Sequence, residues 1–125
     1  MAREMTERVV AVIDDDESYR VAVTRLLKSA GFSVQSFETA EAFLNSGHQC
    51  ETGCLIADIR MPGMSGLELQ LKLNSDHCAI PTIFITAHGD EKMRLQAMRG
   101  GAVKFLMKPF EGETLLEAVR VALRS

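Results

Sequence analysis

Five short apolar runs, each followed by a longer stretch with helical spacing, constrain this chain more than any other feature. The runs are Val9–Ile13, Phe32–Phe37, Cys54–Asp58, Thr82–Thr86 and Val103–Met107. Short apolar runs bounded by polar or glycine positions read as strands. Strands that alternate with helices build a parallel sheet, because parallel neighbours need a crossover of a dozen or more residues. VVAVI, CLIA and TIFI are continuously apolar, as strands buried on both faces must be. FSVQSF mixes polar with apolar residues, and the fifth run carries Lys104; these two are the expected edges. Right-handed crossovers then give an α/β fold with strand order 2-1-3-4-5 and helices on both faces.

The helical stretches carry their own punctuation. Tyr19, Val23, Leu26, Leu27 and Ala30 line one face of the first, and Gly31 stops it. Thr39 is the expected cap of the second, with Ala40, Phe43 and Leu44 inward. The fourth starts near Asp90, carries Met93 and Ala97, and ends at Gly100-Gly101. The fifth places Leu115, Val119, Ala122 and Leu123 on one side, with Glu113 early and Arg120 and Arg124 late, as the helix dipole favours. The third is ambiguous. Leu67, Leu69, Leu71 and Leu73 alternate with a strand's period. Leu, Glu, Gln and Lys are nevertheless helix formers, and a crossover is needed there, so a helix is expected.

A length of 125 residues fits one domain, 1–125, with a core of about 8–124 and no effector domain. The net charge of −3 gives no bulk electrostatic case for nucleic-acid binding. No apolar run approaches a membrane span. The polar start MAREMTERVV lacks a secretory signal, so a cytoplasmic protein is expected. Cys50, Cys54 and Cys78 are an odd count without the spacing of a disulfide or zinc framework, so reduced thiols are expected.

The polar residues carry the chemistry. Strand 1 runs into Asp14-Asp15, strand 3 ends at Asp58, strand 4 at Thr86, and strand 5 leads to Lys108. In a parallel sheet these ends share one rim, and ligands bind where the winding direction reverses, between strands 1 and 3. Three carboxylates gathered there need compensation. Lys108 supplies one positive charge. A hard divalent cation with oxygen ligands, Mg²⁺, suits the remainder.

The pieces VIDDDE, IADIRMPGMSGLEL, IFITAHGD and GAVKFLMKPF, in this order, resemble the receiver domain of bacterial two-component response regulators. Their details are similar to the FixJ/NarL-like subgroup, whose receivers normally precede a helix-turn-helix DNA-binding domain. The resemblance implies a flavodoxin/CheY-like (βα)5 fold and a phosphoryl group taken from a histidine kinase onto Asp58. It implies Mg²⁺ held by Asp14, Asp15, Asp58 and the backbone carbonyl of Arg60. Thr86 and Lys108 become the phosphate-binding pair, Phe105 the switch aromatic, and Lys108–Pro109 a cis peptide. Arg60 and His88 stand where phosphate lifetime is tuned. Asp16 and Glu17 fall outside the ligand pattern and read as helix-start charges.

The same resemblance implies no turnover of an external substrate, only assistance to the chain's own phosphorylation and dephosphorylation. Its expected partners are a sensor kinase and an effector, with no nucleic acid or membrane bound directly. A switching face on helix 4, strand 5 and helix 5 is expected to dimerise or meet the effector, with Met93, Ala97, Phe105 and Val119 as candidates. Two other readings share the fold. A flavodoxin-like FMN protein needs a phosphate-cradling first loop, and DDDESYR is acidic there. A degenerate receiver would act only as an interaction module, although none of its five key residues is missing.

Overall fold

The computed structural model describes residues 9–124. Its elements are β1 Val9–Ile13, α1 Glu17–Ser29, β2 Ser33–Phe37, α2 Ala40–Ser46, a 3-10 turn Gln49–Glu51, β3 Thr52–Asp58, α3 Gly66–Ser75, β4 Thr82–Thr86, α4 Glu91–Arg99, β5 Lys104–Met107 and α5 Gly112–Arg124. The five strands are parallel, in the order β2-β1-β3-β4-β5. No helix among the described residues is long and apolar enough to cross a membrane.

Successive strand residues face opposite sides of the sheet, and so the chain builds two cores. Val10, Val12, Cys54, Ile56, Ile83 and Ile85 face α1 and α5, meeting Val23, Leu27, Leu115 and Val119. Ala11, Ile13, Leu55, Ala57 and Phe84 face the other way, against Phe43, Leu69, Leu73 and Ala97. This double burial explains the unbroken apolar runs of β1, β3 and β4. Both β2 and β5 lie at edges and are only partly buried.

α3 is a helix despite its alternating leucines. Ser65 Oγ accepts the Glu68 N–H at 3.1 Å, and the Glu68 carboxylate accepts the Ser65 N–H at 2.9 Å. This reciprocal cap satisfies two of the donors that a helix start leaves unpaired. Leu69 and Leu73, four apart, are buried, whereas Leu71 is 59% exposed. The alternation thus breaks at Leu71, while Leu67 packs partly buried against the same core as Leu69 and Leu73, and the helical period decides the fold.

The other ends follow local chemistry. The Asp16 carboxylate caps α1 by accepting the N–H groups of Ser18 and Tyr19, Thr39 caps α2, and Asp90 caps α4. Gly31 closes α1 at φ 95°, and the Phe32 N–H returns to the Leu27 carbonyl at 3.1 Å. Two side-chain amides tie α3 to the carboxyl end of α4. Gln70 Nε2 donates to the Ala97 carbonyl at 2.9 Å, and Asn74 Nδ2 donates to the Gly100 carbonyl at 3.1 Å.

One expectation is corrected by the packing. Ala97 was a candidate for a surface formed by α4, β5 and α5, but it is fully buried, as is Val119, for which core packing was the favoured reading. Leu95, Met98, Met107 and Val121 are the exposed large apolar residues of those elements.

Candidate functional site

The carboxyl ends of β1, β3 and β4 bring the acidic residues to one rim. Asp14 directly follows β1 and is fully buried. One of its carboxylate oxygens accepts the Asp16 N–H at 2.9 Å, and the other accepts Lys108 Nζ at 3.0 Å. Asp58, the last residue of β3, is arranged alike. Oδ1 accepts the Arg60 N–H at 3.2 Å, and Oδ2 accepts Lys108 Nζ at 3.0 Å. A single ammonium therefore bridges two carboxylates from neighbouring strands. Asp15 is exposed, yet it offers an oxygen to the same cluster: ligand atoms of Asp14, Asp15 and Asp58 lie within 4.8 Å of one another.

The electrostatics follow from this burial. Desolvation pushes the Asp14 carboxyl above its ordinary pKa, opposed by the Asp16 amide and the Lys108 ammonium. Burial works against the charge on Lys108, but the two carboxylates outweigh it and raise its pKa. The Lys108 side chain is only 7% exposed, and Nζ also sits 4.1 Å from the centroid of the Tyr19 ring. The ring adds a further favourable contact for the cation.

Thr86 closes the far side of the rim. It is buried; its Oγ1 accepts the His88 N–H at 3.4 Å, and its carbonyl accepts the Lys108 N–H at 2.8 Å. Arg60 Nε reaches the His88 carbonyl at 3.4 Å, joining the loops after β3 and β4. Both Arg60 and His88 are exposed. Phe105 is half-buried, and its ring tip, the Thr86 methyl and the Met107 sulfur all crowd the space beside Gly89. The Lys108–Pro109 peptide is cis.

The donor set can be tested against a metal. Three carboxylates are hard oxygen ligands, and one lysine leaves two negative charges uncompensated. Such a set fits a small, hard divalent cation such as Mg²⁺. Among the described residues, no other group of three or more His, Cys, Asp or Glu side chains is close enough to share an ion.

The sequence model of the response regulator receiver domain matches residues 10–120. The chain belongs to that family. This receiver is 45% identical over 124 residues to response regulator protein TodT of Pseudomonas putida, covering 98% of this chain and 55% of TodT. It is 47% identical over 118 residues to TmoT of Ectopseudomonas mendocina, covering 94% of this chain and 54% of TmoT. It is 42% identical to the transcriptional regulatory protein FixJ of Rhizobium meliloti, covering 94% and 58%. The chain thus spans somewhat over half the length of these curated relatives. Among solved structures, the response regulator StyR matches with a TM-score of 0.88 and 48% identity, over 94% of this chain and 60% of that one. The FixJ-N crystal structure matches with a TM-score of 0.86 and 41% identity, over 94% of each.

Two residues of the receiver site carried no signal in the sequence. Tyr19 covers Lys108, and Arg20 Nη1 donates to the Asp14 carbonyl at 2.7 Å. Their spacing, five and six residues beyond Asp14, places them on the first turn of α1 facing the rim. That reading becomes available only once α1 is known to start at Glu17.

Gly66 gives a sharp local test of the rim. Its N–H donates to the Ile59 carbonyl at 2.9 Å, and a Cβ there would collide with the Asp58 carbonyl and press on the Phe84 ring. Because one obstacle is backbone, α3 itself would have to shift. Gly66→Ala is expected to cost about 1–3 kcal/mol of stability, as overpacking does, read by urea denaturation. A neutral or stabilising result would mean that α3 does not lie against the Asp58 peptide.

Proposed function

We propose that this receiver takes a phosphoryl group from a sensor histidine kinase onto Asp58 and relays the event to an effector. The observation that carries the reading is the state of the Asp58 carboxylate. It is buried at the end of β3, with one oxygen on Lys108 and the other on the Arg60 amide, beside two further acids. A carboxylate is a weak nucleophile, so its position and the neutralisation of incoming charge do most of the work.

A carboxylate oxygen of Asp58 attacks phosphorus in line. The bond from phosphorus to the donor nitrogen breaks, and an acyl phosphate forms. Lys108, already within 3.0 Å of Asp58, exchanges a carboxylate contact for a phosphoryl oxygen. Asp14, Asp15, Asp58 and the Arg60 carbonyl would hold Mg²⁺, which when bound supplies charge neutralisation at the phosphoryl oxygens. The Thr86 hydroxyl turns toward the new anion, and Phe105 follows into the space it leaves. Arg60 and His88, exposed on the loops after β3 and β4, set how readily water reaches the acyl phosphate. The chain turns over no external substrate.

Phosphorylation adds nearly two negative charges and three strong acceptors, which bias a two-state surface. That surface is α4, β5 and α5, through Leu95, Met98 and Met107 rather than the buried Ala97 and Val119. It serves a phosphorylation-dependent homodimer or an effector contact. The effector is a transcription regulator, as the FixJ relatives are transcriptional regulatory proteins, and the protein works in the cytoplasm.

Intact-mass measurement after treatment with acetyl phosphate tests the reading. One phosphoryl group per chain is expected with Mg²⁺, and none with a chelator in excess. The adduct is expected to be labile to hydroxylamine, as an acyl phosphate is. No adduct, or one indifferent to both chelator and hydroxylamine, would overturn it.

A further inference from the structure

Cys50 lies in the 3-10 turn that leads into β3, and Cys78 in the loop that leads into β4. These strands are parallel neighbours, with Leu55 opposite Thr82. Their lead-in segments therefore run side by side at the amino-terminal rim, the edge of the sheet opposite Asp58. The two cysteines are separated by 27 residues in sequence, yet the strand pairing brings their segments together, and Cys50 is among the groups that hold the Cys78 thiol above its ordinary pKa.

Backbone contacts fix both positions. The Glu51 N–H and the Thr52 hydroxyl both donate to the His48 carbonyl, at 3.1 and 2.9 Å. His77 takes the left-handed conformation at φ 57°, and the Cys78 N–H returns to the Leu73 carbonyl at 2.9 Å. This helix-end turn fixes the backbone of Cys78. The remaining cysteine is different. Cys54 is fully buried in the core facing α1 and α5, and burial pushes its thiol up to about 12. Metal binding does not account for the pair, because no third His, Cys, Asp or Glu ligand among the described residues completes a cluster with it.

We propose that Cys50 and Cys78 are a modification site, closing to an intramolecular disulfide when the chain meets a hydroperoxide. Cys50 is exposed and Cys78 half-buried, which orders the steps. The Cys50 thiolate attacks one oxygen of hydrogen peroxide, the O–O bond breaks, and a sulfenic acid and hydroxide result. Cys78 sulfur then attacks the Cys50 sulfur; the hydroxyl group leaves with the Cys78 proton as water. Two electrons pass from the thiol pair to the peroxide, which ends as water. Burial, and then the neighbouring Cys50, hold the Cys78 thiol above its ordinary pKa, in keeping with the role of resolving partner rather than first nucleophile.

The bond would close a loop containing β3, Asp58 and α3. Such a loop restricts the unfolded chain, and the oxidised form is expected to melt roughly 10 °C higher.

The test treats the reduced full chain with hydrogen peroxide, alkylates free thiols and measures mass. A loss of two hydrogens, one alkylated thiol and reversal by dithiothreitol are expected. Cleavage after Glu51 separates Cys50 from Cys54, and a non-reducing digest should link the Cys50 and Cys78 peptides. Cys50→Ser should abolish the link, and Cys54→Ala should retain it. Three alkylated thiols after peroxide, a link through Cys54, intermolecular dimers alone, or Cys50 passing to sulfinic acid beside a free Cys78 would each overturn the proposal. None of these readouts requires phosphoryl uptake, so the proposal stands or falls apart from the role of Asp58.

Discussion

Asp58→Asn is expected to take up no phosphoryl group from acetyl phosphate, while folding as well as the parent chain to within about 1 kcal/mol. The loss is complete because an amide offers no anionic oxygen to phosphorus. Stability is retained for a separate reason. The Asn amide oxygen can keep the Lys108 contact or the Arg60 N–H contact that Asp58 makes at 3.0 and 3.2 Å. One negative charge also leaves a cluster in which three carboxylates lie within 4.8 Å. Relief of like-charge repulsion offsets the weakened hold on Lys108. Magnesium binding, read by calorimetry, should weaken at least about tenfold, because a hard cation loses one of its charged ligands. A persistent adduct in this variant would move the acceptor elsewhere. Unfolding of the variant would show that the Asp58 charge is structural.

Lys108→Met is expected to destabilise the fold by about 3 kcal/mol near neutral pH, because two buried carboxylates lose their shared counter-charge. The Met side chain keeps much of the aliphatic stem beside Tyr19, so the charge is the main thing removed. The cost should depend on pH with a definite sign. Asp14 already has its pKa raised above the unfolded value of 3.8, and losing the ammonium raises it further. The folded variant then binds a proton more readily than the unfolded chain, so its stability increases as pH falls toward that value. Urea unfolding at pH 5 should show a smaller deficit relative to the parent than at pH 8. Saturating Mg²⁺ should narrow the deficit at pH 8, by binding the folded form. A loss equal at both pH values and indifferent to Mg²⁺ would place the cost in packing against Tyr19.

The fold was legible because its signals repeat and agree. β1, β3 and β4 are apolar on both faces, and only a sheet covered on both sides tolerates that. Their shared rim then placed Asp14, Asp58, Thr86 and Lys108 near one another, since parallel strands bring their carboxyl ends together. The alternating leucines of α3 misled only locally; the capping box at Ser65 and Glu68 was present in the sequence and is the stronger signal. Ala97 was offered for a surface because spacing alone does not say which side of a helix meets the sheet. The roles of Tyr19 and Arg20 and the nearness of Cys50 to Cys78 were illegible for a related reason. Each depends on how two segments distant in sequence are laid against one another, and one sequence carries no record of that.

The amides of Gln70 and Asn74 have a mechanical consequence. They hold the carbonyls of Ala97 and Gly100, so α4 is moored at its trailing end, while its leading end begins beyond Thr86 and His88. A displacement starting at the hydroxyl of Thr86 therefore arrives at a lever with its fulcrum about two turns away. On the proposed switching, the helix is expected to swing through an arc instead of sliding along its axis, with side chains near Glu91 travelling farther than those near Arg99.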